Sequence, residues 1–121
     1  MIAVLQRVSS ANVMIEEAVV GQISEGLLIL LGIEHSDNTQ DIEWLAHKIV
    51  NMRIFGDDEG KMNLNIEDTK GNILLISQFT LHALTKKGNR PSLIEAARPE
   101  HALPLYESMI KSLHLLMDKK I

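Results

Sequence analysis

Residues 73–92 read ILLISQFTLHALTKKGNRPS, and the rest of the chain is organised around them. The segment opens as a buried strand, places polar side chains inside an apolar run, and closes in a basic, glycine-containing loop. On an extended backbone Gln78, Thr80 and His82 share one face, and Ser77, Phe79 and Leu81 the other. Polar groups set deep in a strand cost free energy unless they find partners, so the pattern points to a site. The plainer alternative is a strand that surfaces at its end, where Gln78 and Thr80 meet water.

A hydroxyl nucleophile needs a base within hydrogen-bond reach. Two residues along a strand is about 7 Å, which argues against a Thr80–His82 dyad. Electrostatic chemistry suits the residues better: backbone N–H groups and short hydroxyls at a strand end hold a carbonyl and stabilise an oxyanion. Lys86, Lys87 and Arg90 are separated only by Gly88 and Asn89, and they suit phosphates. Together these features describe a site for an ester on a phosphate-rich carrier, and acylated RNA fits.

Working outward, residues 2–9 form an expected strand with both faces half apolar. Residues 13–23 form an expected hairpin turning at Glu16-Glu17-Ala18. Residues 27–33 are apolar apart from Gly32, so both strand faces are expected to be covered. Ile42, Leu45, Ala46 and Ile49 recur at helical spacing over residues 39–52, with Asp37 or Thr39 as the expected cap. Trp44, the single tryptophan, is placed at the core edge, and His47 at the surface. Short strands follow at residues 53–55 and 62–66, flanking an acidic loop without the ligand pattern of a calcium loop. Residues 92–97 suit a short helical turn, and residues 99–117 a second long helix with Tyr106, Met109, Ile110, Leu113 and Leu116 on its apolar stripe.

The chain has 121 residues, 45% of them hydrophobic, which suits one α+β domain with a real core. It lacks cysteine, so disulfides, thiol catalysis and thiolate metal sites are excluded. The net charge of -4 argues against a wholly basic nucleic-acid surface but leaves room for a local patch. The N-terminus makes a poor signal peptide, and the longest apolar run is far short of a membrane span. A soluble cytoplasmic protein is expected. Phosphate-loop, HExxH and GxSxG motifs are missing. His35, His47, His82, His101 and His114 show no metal spacing and are read as solvated.

The segment SQFTLHA at residues 77–83, followed by TKKGNRPS at 85–92, resembles the D-aminoacyl-tRNA deacylase family, once called D-tyrosyl-tRNA deacylases. The opening QRVSSA at 6–11, Gly21, GLL at 26–28, Leu31-Gly32, RIF at 53–55 and GKMN at 60–63 match as well, so the resemblance covers essentially the whole chain. It implies a curved, barrel-like, mostly antiparallel sheet with two flanking helices. It implies a homodimer in the cytoplasm with its active site at the dimer interface and no metal or organic cofactor. Members hydrolyse the ester joining a D-amino acid, and often glycine, to the terminal adenosine of tRNA. Ser77, Gln78, Phe79 and Thr80 carry over as the catalytic stretch, with Phe79 and Thr80 lining the aminoacyl pocket. Lys86, Lys87 and Arg90 are the expected contacts to the tRNA acceptor end. The mechanism implied uses the RNA's own 2′-hydroxyl and backbone donors; Thr80 has also been considered as the nucleophile.

The family also carries a C-terminal Asn-x-Gly-Pro-Val-Thr segment that rejects L-amino acids from the partner's pocket. No Gly-Pro pair occurs in this sequence. The resemblance thus implies a single deacylase-like domain over residues 1–121 without the family's C-terminal strands: either the sequence is a shortened one, or the protein lacks the gate, in which case lower stability and poor or unselective deacylation are expected. A second reading is a non-catalytic RNA-binding or structural protein on the same fold. A third, an unrelated small-molecule hydrolase, gives no use to the three clustered cations.

Overall fold

The computed structural model describes residues 1–119 and 121. The centre of the molecule is β4 (Gly26–Gly32), the most apolar strand of the chain. Leu27, Ile29 and Leu31 are fully buried, each contributing about 1.5–3 kcal/mol relative to exposure. β1 (Ile2–Val8) runs antiparallel along one edge of β4, and β7 (Asn72–Ser77) parallel along the other. A parallel neighbour needs a long crossover. That crossover contains α1 (Thr39–Asn51) and the two-residue β5 (Phe55–Gly56), paired with β6 (Met62–Leu64). β2 (Ala11–Ile15) and β3 (Ala18–Ile23) form a separate hairpin. The turn expected at residues 16–18 is two residues long: Glu16 and Glu17 both take positive φ, and Ala18 already belongs to β3. α2 (Pro99–Met117) closes the chain order.

Both helices pack on one face of the sheet. Ile42, Ala46 and Ile49 of α1 and Leu105, Met109 and Leu113 of α2 join the β4 side chains, Ile73 and Leu75 in one core. Register places Val4 opposite Leu30 and Leu30 opposite Ile76, so the even-numbered residues of β1, β4 and β7 form the opposite, partly uncovered face. Ile2 and Val4 there are 41% and 44% exposed.

The α+β class holds, but the expected barrel does not form. Among the described residues the sheet is open, with β7 as an edge strand and the β2–β3 hairpin as a separate ribbon. The Asn72 and Gln78 N–H groups point to β4, donating to Glu25 and Leu31, so by alternation Ile73 and Leu75 turn their backbone groups away from it. Tyr106 on α2 takes the Leu75 carbonyl. A groove of about 770 Å³ follows this edge, lined by Val20, Gln22, Leu74, Tyr106 and Ile110 among others.

Three local expectations change as well. Asn38, not Asp37 or Thr39, caps α1: its side chain accepts from Gln40 and Asp41 while Asp41 accepts from the Asn38 N–H. Trp44 is 65% exposed, because it stands about 200° around the helix from Ile42 and from Ala46, both in the core; the Lys48 ammonium lies 5.5 Å from its ring centre. Residues 92–97 form a turn rather than a helix. No helix among the described residues is long and apolar enough to cross a membrane.

Candidate active site

The polar stretch begins where β7 ends. Gln78 N–H donates to the Leu31 carbonyl at 2.8 Å, the last tie to the sheet. The chain then tightens into a 3₁₀ helix over Phe79–His82. This overturns the extended reading of residues 78–82. In a 3₁₀ turn the period is three, so Gln78, Thr80 and His82 do not share a face. Gln78 and Thr80 still meet, because the Gln78 side-chain amide donates to the Thr80 hydroxyl. Phe79 and Thr80 are exposed, Phe79 at 55%. Ser77 is exposed at the strand end. The N–H groups of Phe79 and Thr80 precede the first hydrogen bond of the turn, so the turn itself leaves them free to face a ligand.

His82 goes inward. Its side chain is 5% exposed and its Nδ1 lies 3.8 Å from Glu34 Oε2, while Nε2 is buried without a hydrogen-bond partner. The expectation of a solvated His82 fails, and the missing Thr80–His82 dyad has a clear cause: the imidazole is on the core side of the turn. Sequence spacing also missed the polar group behind the turn. Asp37, 7% exposed, accepts from the Met1 amine at 2.9 Å and the Glu34 N–H at 2.8 Å. His101, read as solvated, is half-buried and meets the Asp37 carbonyl at 2.9 Å. The one local signal was an imidazole inside an otherwise apolar Leu-His-Ala-Leu run.

Beyond the turn, Leu84 and Ser92 exchange two backbone hydrogen bonds of 2.7 and 2.8 Å and close a loop over residues 85–91. Gly88 takes φ of 76° at its tip, a conformation that favours glycine. Lys86, Lys87 and Arg90 are exposed on this loop, and none of them forms an ion pair among the described residues. Phe79, Leu84, Leu93 and Ile94, all at least 39% exposed, give the region an apolar surface. Strand end, turn and cationic loop are consecutive in sequence, so β7 positions all of them from one end of the sheet. No cluster of three or more His, Asp or Glu side chains suited to a metal occurs among the described residues.

The family model for D-Tyr-tRNA(Tyr) deacylase matches residues 4–121. The chain belongs to this deacylase family. The D-aminoacyl-tRNA deacylase of Flavobacterium psychrophilum is 55% identical over 118 residues, covering 98% of this chain and 79% of the relative. That of Bacteroides thetaiotaomicron is 57% identical with the same coverage. Among solved structures, one titled c-Myc DNA Unwinding Element Binding Protein superposes with a TM-score of 0.89 at 36% identity, over 94% of this chain and 76% of that one. A probable eukaryotic D-amino acid tRNA deacylase superposes with a TM-score of 0.82 at 13% identity, which shows the shared fold alone. In this chain the turn of residues 79–82 follows the C-terminal end of β7.

Proposed function

We propose that this chain hydrolyses the ester of D-aminoacyl-tRNA and so proofreads the chirality of charged tRNA. The family match over residues 4–121 carries this reading. The turn supplies a way to do it. Ser77, Gln78, Phe79 and Thr80 form the aminoacyl subsite, with Phe79 against the amino acid and the Phe79 and Thr80 N–H groups on the ester oxygen. Thr80 Oγ has an amide as its described partner, and His82 is turned away. This favours attack assisted by the RNA's own 2′-hydroxyl over a threonine nucleophile. Lys86, Lys87 and Arg90 engage the phosphates of the acceptor end. A cytoplasmic location, where charged tRNA is used, is part of this reading.

The working form in this reading is a homodimer. Support comes from the partly uncovered sheet face, where the exposed Ile2 and Val4 adjoin the half-buried Leu28, Leu30 and Ile76.

The deciding assay pairs D-tyrosyl-tRNA with L-tyrosyl-tRNA. Hydrolysis of the D ester with the L ester spared is the expected result. A folded chain that binds tRNA and cleaves neither ester would replace this reading with the non-catalytic RNA-binding one.

A further inference from the structure

The 3₁₀ turn lies against the end of β4 at a point where no side chain intervenes. A Cβ on Gly32 would sit 2.9 Å from Leu81 Cβ, 3.1 Å from the Gln78 carbonyl oxygen and 3.1 Å from His82 Cδ2. The turn therefore rests on bare backbone, and the imidazole of His82 fills the adjoining space. On its far side stands Glu34, which is itself fixed three ways. It bridges Ala96 through the backbone, its N–H donates to Asp37, and its carboxylate lies 3.6 Å from the Met1 amine. A leucine would fill the same space without leaving a buried ring nitrogen unpartnered. The 3.8 Å approach of Nδ1 to Glu34 is longer than a hydrogen bond, so the imidazole holds the turn chiefly by its buried packing against Gly32, with the Glu34 carboxylate beside it.

We propose that His82 is a positioning residue for ester hydrolysis, its imidazole locking the Phe79–Thr80 turn between Gly32 and Glu34. The catalytic half of this inference rests on the deacylase reading above; the locking of the turn does not. His82 touches no substrate in this role. It sets where the Phe79 and Thr80 N–H groups and the Thr80 hydroxyl stand, and a shift of about 1 Å at such groups is enough to cost rate on the order of a hundredfold.

The test uses the full chain with His82→Ala, His82→Gln and Glu34→Gln, and Ile49→Val as a core variant remote from the turn. Kinetics with D-tyrosyl-tRNA should show kcat down at least tenfold in His82→Ala with KM within threefold, and partial recovery in His82→Gln. Glu34→Gln should lower kcat in the same direction. Ile49→Val should lose stability without this loss of kcat. Amide exchange supplies a readout independent of turnover: the Gln78 and Ala83 N–H groups should exchange at least tenfold faster in His82→Ala, with α1 unchanged. Unchanged exchange at both amides overturns the proposal. So does a kcat loss no greater than that of a core variant of equal Tm. A wild-type chain inactive on D-tyrosyl-tRNA sinks the functional reading instead, and the exchange experiment still decides whether His82 locks the turn.

Discussion

The hydroxyl of Tyr106 donates to the Leu75 carbonyl at 2.8 Å, tying the second turn of α2 to the outer edge of β7. Partial burial raises the Tyr106 pKa above its ordinary 10.0, because the charged phenolate is harder to solvate there. A raised folded-state pKa stabilises below the unfolded value, and that contribution is lost as pH rises through the folded value. Tyr106→Phe should cost about 1 kcal/mol at neutral pH, and the gap in melting temperature to wild type should close above pH 10. A gap that widens with pH would contradict the assignment.

Gly26 allows β4 to start beside the crossover that returns to β7. A Cβ there would stand 1.9 Å from the Asn72 carbonyl oxygen, and backbone cannot yield as a flexible side chain does. Gly26→Ala is expected to destabilise by about 3 kcal/mol or more, read as a urea midpoint. An unaltered midpoint would mean that β4 and Asn72 separate at little cost.

The Asp57 carboxylate accepts the Lys61 N–H at 3.0 Å and the Glu59 N–H at 2.9 Å. These bonds, that from Lys61 foremost, hold its pKa below the ordinary 3.8. A lowered folded-state pKa means the stabilisation is present above 3.8 and lost as pH falls through the folded value. Amide protection at Glu59 and Lys61 should therefore drop in that acid window, beyond the intrinsic pH dependence of exchange. Asp57→Asn should remove that drop.

Reversing Lys86 and Lys87 to glutamate together should weaken tRNA binding and flatten its dependence on log salt by roughly 1–2 units. Hydrolysis of a short aminoacyl-adenosine ester, which lacks the acceptor phosphates, should stay within twofold of wild type. An unchanged salt slope would reduce the loop to a solvated surface feature.

The layout of the candidate site was legible in sequence because it is local. The strand end, the Gln78-Phe79-Thr80 run and the cationic loop follow one another along the chain, and Gly88 marks the loop tip. Both helices were legible from their apolar spacing, α2 with Pro99 at its start. The extended reading of residues 78–82 failed because alternation of residue types cannot tell a continuing strand from one that tightens into a 3₁₀ turn. Trp44 was misplaced for a different reason: a large aromatic suggests burial, but the core stripe of α1 was already filled by Ile42, Ala46, Ile49 and Val50.

The sequence by itself determined the family, the order of elements and the residues available for chemistry, since these depend on side-chain type and near-neighbour spacing. Only the tertiary structure decided that β7 joins β4 in parallel and that His82 faces Glu34 instead of Thr80. Those relationships join segments distant in sequence. They are set by which apolar faces bury one another and which backbone groups find partners, and no local pattern encodes that choice.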